Sequence, residues 1–198
     1  IPFYEVISEA GVEIRQIDAL CCGVGPGSFT GIRVGISFCL GLAVTHQIPT
    51  VPLRSVDLIA ENIKPDTPGI VVAIDGYQGR VYTATYCRDS SGDLQCEQPL
   101  TLMTRKTFLE ALKSTDKHYH LTGDILNRYG DEVFDYFSED RCYLIEDWYV
   151  RPRGFNSRIQ AIRKNGVDPF QCRLRPVYLR KSIPEEARER QNDVSGMD

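Results

Sequence analysis

The stretch Gly23-Val24-Gly25-Pro26-Gly27-Ser28-Phe29-Thr30-Gly31-Ile32-Arg33-Val34-Gly35 constrains this chain more than any other. It follows a short apolar run, Ile17 to Cys22, which predicts a strand, and it opens a long apolar segment, Phe29 to Ala43 and on to His46, which predicts a helix. A glycine-rich turn between a strand and a helix either presents backbone N–H groups to an anion at the helix N-terminus or lets the helix pack very close to a neighbour. The residues argue against a phosphate loop. A P-loop needs a lysine followed by Ser or Thr, and the first lysine of the chain is Lys64. The dinucleotide pattern fails because Thr30 stands where a third glycine belongs, and Pro26 removes one N–H from any anion nest. A tight turn with Ser28 as N-cap is the simpler expectation.

The helix says more. Polar side chains are few in it: Arg33, Ser37, Thr45 and His46 stand among apolar residues. Ile32, Ile36, Leu40 and Ala43 fall on one face, with Val34, Phe38 and Leu42 elsewhere around the cylinder. A helix apolar nearly all round is expected to be buried on more than one side. Gly31, Gly35 and Cys39 recur every fourth residue, a smooth strip that admits a second backbone at short distance, as in GxxxG membrane helices. The segment reads as too short and too interrupted to span a bilayer. One face belongs on the domain's own sheet; the other is free for a second helix, from a partner or from within the domain.

Ile17–Cys22 and Thr50–Leu53 frame a βαβ unit with a parallel strand pair. Ser55 is expected to cap a short helix from Val56 to Ile63, and the breaker-rich Lys64 to Gly69 loop marks a boundary between two lobes. Ile70–Ile74 reads as a buried strand and Arg80–Cys87 as its hairpin return. Leu94–Met103 adds another strand. Thr104 caps a helix over Phe108–Leu112, His118–Thr122 is a short strand, and Arg158–Asn165 is a helix ended by Gly166. The chain divides into an N-terminal lobe, 1–64, and a C-terminal lobe, 65–183. The polar tail, 184–198, has no apolar face to bury and is expected to be disordered.

Hydrophobic content of 42% and charged content of 25% are ordinary for a soluble globular protein. Seven scattered cysteines without a CxxC pair fit reduced core thiols in a cytoplasm rather than a disulfide framework. Cys21 and Cys22 are adjacent in a strand and point to opposite faces, so neither a local bridge nor a shared metal is expected. The net charge of −4 argues against a general nucleic-acid binder. Its distribution is uneven. Asp124–Asp147 holds eight acidic and two basic residues, whereas Val150–Lys181 holds nine basic residues and one acidic. The basic stretch is either a solvated face paired with its acidic neighbour or a surface facing phosphate or a partner.

No complete catalytic constellation is visible. His46 ends the long helix, where a cation suits the dipole; His118 and His120 share a strand face without a third ligand in sequence, and no metal is expected. Ser28 lacks the G-x-S-x-G elbow. Asp75 and Asp124 lie in turns after strands, where turn chemistry is reason enough for them.

The run Gly25 to Gly35 resembles the signature of the TsaB (YeaZ) family. The likeness continues, in family order, through Ile48–Asp57, Ala73-Ile74-Asp75-Gly76 with Gly79-Arg80-Val81-Tyr82, Leu121-Thr122-Gly123-Asp124, and Asp168-Pro169 with Pro176-Val177-Tyr178-Leu179-Arg180. Ile125 replaces the second glycine of the family's GDG turn. The family's opening A-I-D-T-S hairpin and His-Ser helix have no counterpart before Ile1, so about 40 residues of the pattern are expected to be missing. The resemblance implies an α/β, actin/Hsp70-like (ASKHA) fold of two lobes, the first truncated. It implies a non-catalytic, cytoplasmic subunit in the formation of threonylcarbamoyladenosine in tRNA. That subunit would form a heterodimer with TsaD, meet TsaE and tRNA through the complex, self-associate when the partner is absent, and need no cofactor and no membrane. The helical HxxxH metal pair of TsaD is absent from this sequence. The partner interface is expected at Phe29, Ile32, Arg33, Gly35, Ile36, Cys39 and Leu40, beside the turn Gly25, Pro26, Gly27 and Ser28. The alternative is an ASKHA-type nucleotide-binding enzyme, an ATP hydrolase or kinase, using Asp75, Asp124 and the glycine loop.

Overall fold

A computed structural model describes residues 3–63, 69–114, 117–136, 142–145, 149–164 and 173–179. The expected breaker loop at 64–68, the Gly166 stop and the tail at 184–198 lie outside the described residues. In chain order the elements begin with α1 (Phe3–Glu9), β1 (Leu20–Gly23), α2 (Phe29–His46), β2 (Thr50–Leu53) and α3 (Ser55–Ala60). They continue with β3 (Ile70–Asp75), β4 (Arg80–Arg88), β5 (Leu94–Thr104), α4 (Arg105–Lys113), β6 (Tyr119–Thr122), α5 (Ile125–Tyr136), β7 (Cys142–Ile145) and α6 (Pro152–Lys164).

The first sheet is the expected parallel pair, with Leu20 opposite Thr50 and Gly23 opposite Leu53. β1 starts at Leu20 rather than Ile17 because its partner is only four residues long; Ile17 packs instead with Phe3 and Ile14 against Leu20, Leu42 and Ile48. Ser28 caps α2 as expected, its Oγ accepting from the Gly31 N–H at 3.2 Å. The helix closes at Gln47, in the left-handed conformation at φ 55°, whose N–H donates to the Ala43 carbonyl.

The second sheet has strand order β5-β4-β3-β6-β7. β5, β4 and β3 are antiparallel neighbours, while β6 and β7 continue in parallel beyond β3. β3 is buried along its whole length, as its unbroken apolar run requires. Its alternate residues feed two cores. Val71 and Ala73 join Phe108, Leu109 and Leu112 of α4 and Ile125 and Val133 of α5. Val72 and Ile74 join Val56, Ile59 and Ala60 of α3. Between the sheets, Leu58 of α3 packs with Val51 and Leu53 of β2 and with Phe155, Ile159 and Ile162 of α6.

Three expectations need correction. Ser55 is the first residue of α3, not its cap. The cap position falls to Arg54, whose side chain holds Asp57 instead of capping, and the helix stops at Ala60. α5 and β7 were not expected, because the acidic stretch 124–147 masks their apolar positions. Leu126 and Tyr129 of α5 nevertheless pack against the core that takes Ile125 and Val133. Third, α6 begins at Pro152, six residues before the expected Arg158, since Pro suits the first turn of a helix.

Candidate functional site

The glycine-rich turn is tied down by its own backbone. The Val24 N–H donates to the Leu53 carbonyl at 2.9 Å, the Gly25 carbonyl accepts from Ser55 at 2.9 Å, and the Val24 carbonyl accepts from Val177 at 2.8 Å. Gly25 has φ +101°, and a Cβ there would lie 2.8 Å from Ile32 Cδ1 and 3.4 Å from the Val177 carbonyl oxygen. Glycine serves here for close packing between the turn, α2 and a distant segment. Gly25 and Pro26 are buried, while Gly27 and Ser28 are exposed. The Gly31 N–H, which an anion at the helix start would need, is taken by Ser28.

α2 lies across the first sheet with an inner and an outer face. Ile36 is buried with Cys22, Val24 and Leu174, and Ile32, Cys39 and Val177 pack against that cluster. A Cβ on Gly35 would meet Cys22 Sγ at 4.0 Å. Of the residues expected at an interface, Ile36 therefore points into the domain, and Ile32, Gly35 and Cys39 are half-buried beneath the helix. Two residues of the small strip, Gly35 and Cys39, thus serve contact with β1 rather than with a neighbour. Phe29, Arg33 and Leu40 are exposed, joined by residues the sequence reading did not assign to a docking face: Val34, Phe38 and Val44, at 63%, 46% and 80% exposure. Only Ile36 and Leu42 of its 18 residues are buried, so the second covered side expected of this helix is not supplied by the described residues of this chain. By length and composition α2 is also apolar enough to cross a membrane, contrary to the expectation from its length. Here its inner face packs on β1 and β2.

A second segment, missed from the residues themselves, closes the near end of this face. Residues 173–179 return to the N-terminal part, burying Leu174. They place the Tyr178 ring against Phe29 with centroids 5.2 Å apart. Arg33 lies over the Phe29 ring at 3.9 Å and donates from Nε to the Tyr178 hydroxyl at 3.0 Å. Such a cation, held over one ring and bonded to the hydroxyl of the next, is fixed in direction and still open to solvent. Beyond the resemblance to a P-x-Y-L-R closing motif, nothing local in Pro176–Leu179 signals this contact, which spans 145 residues of sequence.

The thiols of Cys22 and Cys39 meet beneath α2. A hydrogen bond from Cys22 pulls the Cys39 thiol down to about 7 against the effect of burial. The same contact, with burial, pushes the Cys22 thiol up. The Asp75–Asp124 pair is consumed structurally. Asp124 accepts from the Asp75 N–H at 2.7 Å, and Asp75 accepts from Tyr77 N–H at 3.0 Å and from Arg128 at 2.8 Å. Burial, followed by the Asp75 charge, pushes the Asp124 carboxyl up. Among the described residues no group of three metal-ligating side chains gathers.

Residues 3–96 match the family described as "TsaD: tRNA N6-adenosine threonylcarbamoyltransferase". The chain is 36% identical over 90 residues to the tRNA threonylcarbamoyladenosine biosynthesis protein TsaB of Escherichia coli K12, covering 44% of this chain and 39% of that one. It is 34% identical over 87 residues to TsaB of Haemophilus influenzae, covering 43% and 37%. The chain thus spans about two-fifths of the length of these curated relatives. A solved structure from Pseudomonas aeruginosa, an uncharacterized protein with similarity to peptidase YEAZ, superposes with TM-score 0.69 at 21% identity, covering 89% of this chain and 80% of that one. The fold is accordingly an α/β fold of the YeaZ, actin/Hsp70-like kind. Over the matched region the chain is thus similar in sequence to TsaB proteins, and in fold to YeaZ structures.

Proposed function

We propose that this chain is a non-catalytic subunit in the biosynthesis of threonylcarbamoyladenosine in tRNA, docking a TsaD-type catalytic subunit through the outer face of α2. The observation that carries the reading is the exposed apolar surface of Val34, Leu40 and Val44, with Phe38 beside them partly covered by the Phe3 ring at 5.6 Å, on a helix otherwise anchored to its sheet. Exposed apolar surface of this kind marks an interaction site. The Phe29–Arg33–Tyr178 group supplies a polar, directional edge to it, as aromatic and arginine anchors do at interfaces. In this reading the two sheets are the two lobes, 1–64 and 65–183. TsaE and tRNA are reached through the complex in the cytoplasm, and a homodimer uses the same face when TsaD is absent.

Light scattering of the chain, alone and mixed with TsaD of the same organism, tests this. A one-to-one or two-to-two complex is expected, and Val44→Asp with Phe38→Asp should weaken it by at least a hundredfold while circular dichroism stays unchanged. Undiminished binding by the folded double variant would overturn the assigned face. The alternative, a nucleotide-processing enzyme, requires Asp75 and Asp124 to release their present partners. Calorimetric heat with millimolar ATP and magnesium would favour it.

A further inference from the structure

A cavity of about 190 Å³ opens between the β4–β5 hairpin and α6, lined by Arg54, Tyr86, Asp93, Gln95, Cys96 and Arg158 among others. At its base Asp57 is saturated. It accepts from Arg54 Nε at 3.0 Å and Nη2 at 2.9 Å, and from the Tyr86 hydroxyl at 2.7 Å. Asp93, on the rim, is taken by Lys164. Arg158 is left over. Its side chain is 18% exposed, its Nη2 comes no closer to Asp57 than 3.9 Å, and its buried Nε has no hydrogen-bond partner among the described residues. Two cations, Arg54 and Arg158, line the cavity; Asp57 is taken up by Arg54, and Asp93 by Lys164 of the neighbouring cavity. Asp89, at the hairpin turn, keeps its charge outside on the exposed surface, accepting from Ser91, Asp93 and Gln95. A guanidinium cannot shed its proton, and a largely buried charge whose nearest carboxylate stands at 3.9 Å and is already saturated by other donors is costly.

We infer that this cavity binds a small oxyanion, a phosphate or carboxylate group, gripped by the Arg158 fork with Arg54 beside it. The planar donor pair of arginine matches the two oxygens of either group. The volume lies below the roughly 300 Å³ at which whole-ligand pockets begin, so one charged group enters rather than a nucleoside. The neighbouring cavity, of about 280 Å³, offers a contrast. There Arg88 is spent on Glu61 at 3.3 Å and on the carbonyls of Gly92 and Ile63 at 3.0 and 2.9 Å. Its Nε is also buried without a hydrogen-bond partner among the described residues, but its charge is met by Glu61, as that of Lys164 in the same lining is met by Asp93. The site is remote in role from the α2 face and stands whether or not that face docks TsaD.

Calorimetric titration of the full chain with inorganic phosphate, and separately with acetate, at chloride-matched ionic strength tests the inference. Saturable heat is expected, weakened at least tenfold in Arg158→Gln and less in Arg158→Lys. Binding of phosphate alone identifies a phosphoryl ligand, and equal binding of acetate identifies a carboxylate; either supports the site. In the unmodified chain the Arg158 Nε–H resonance should shift on adding the anion, a readout that does not depend on a variant folding. No heat with either anion, equal binding by a folded Arg158→Gln, or a stationary Nε–H signal would overturn it.

Discussion

α2 and α3 are built from similar apolar residues and meet opposite fates. α3 is six residues long with Val56 through Ala60 all buried, whereas α2 is 18 residues long with only Ile36 and Leu42 buried. α3 lies between two sheets and is met on every side, even at Asp57, whose charge is answered by Arg54 and Tyr86. α2 lies across a sheet of two strands, which covers one face and no more. Apolar composition thus predicts that a surface will be covered, but not by which molecule. The buried helix holds this fold together; the half-covered helix retains surface for association.

That contrast has measurable consequences. Asp57→Ala should cost most, about 3–5 kcal/mol, because it strands Arg54, Arg158 and the Tyr86 hydroxyl around an empty position; urea unfolding would show it. Leu58→Ala, at 1% exposure, should cost about 2–5 kcal/mol by the same assay. Val44→Asp on α2 should change stability by less than about 0.5 kcal/mol, so its effect should fall on association alone. A large loss of stability in Val44→Asp would mean that the outer face is closed within the chain. Ile36→Asp, by contrast, should unfold the first sheet and cannot serve as an interface probe. The smallest effect lies beneath α2. Alkylation of Cys39 should rise with pH through a midpoint near 7, as the thiolate forms. In Cys22→Ala the midpoint should move upward, because the bond that stabilises the thiolate is gone. An unmoved midpoint would show that the two thiols do not interact.

Local chemistry was most legible where one residue type answers one backbone need. Ser28 and Thr104 cap their helices as the sequence predicts. The continuous run of β3 is buried, and the turn at Asp75–Gly79 closes the β3–β4 hairpin through the Gly76 N–H to Arg80 carbonyl bond at 2.9 Å. α5 was hidden because its acidic residues swamp the composition of a stretch whose burial, among the described residues, rests on Ile125 and Val133 with Leu126 and Tyr129 packed beside them. The exposed face of α2 was half legible. Of the residues expected at an interface, Phe29, Arg33 and Leu40 are exposed, while Gly35, Ile36 and Cys39 turn inward, because the direction in which a helix presents its faces depends on where its sheet lies.

The sequence by itself determined the βαβ start, the tight glycine turn, the length of α2 and the family likeness, since each rests on neighbours within a few residues. Tertiary structure alone decided which side of α2 stays open, that Tyr178 returns across 145 residues to hold Arg33, and that Arg158 faces Asp57 without a bond. These depend on how sheets and helices stack, and distance in space is not written in the local pattern of a chain.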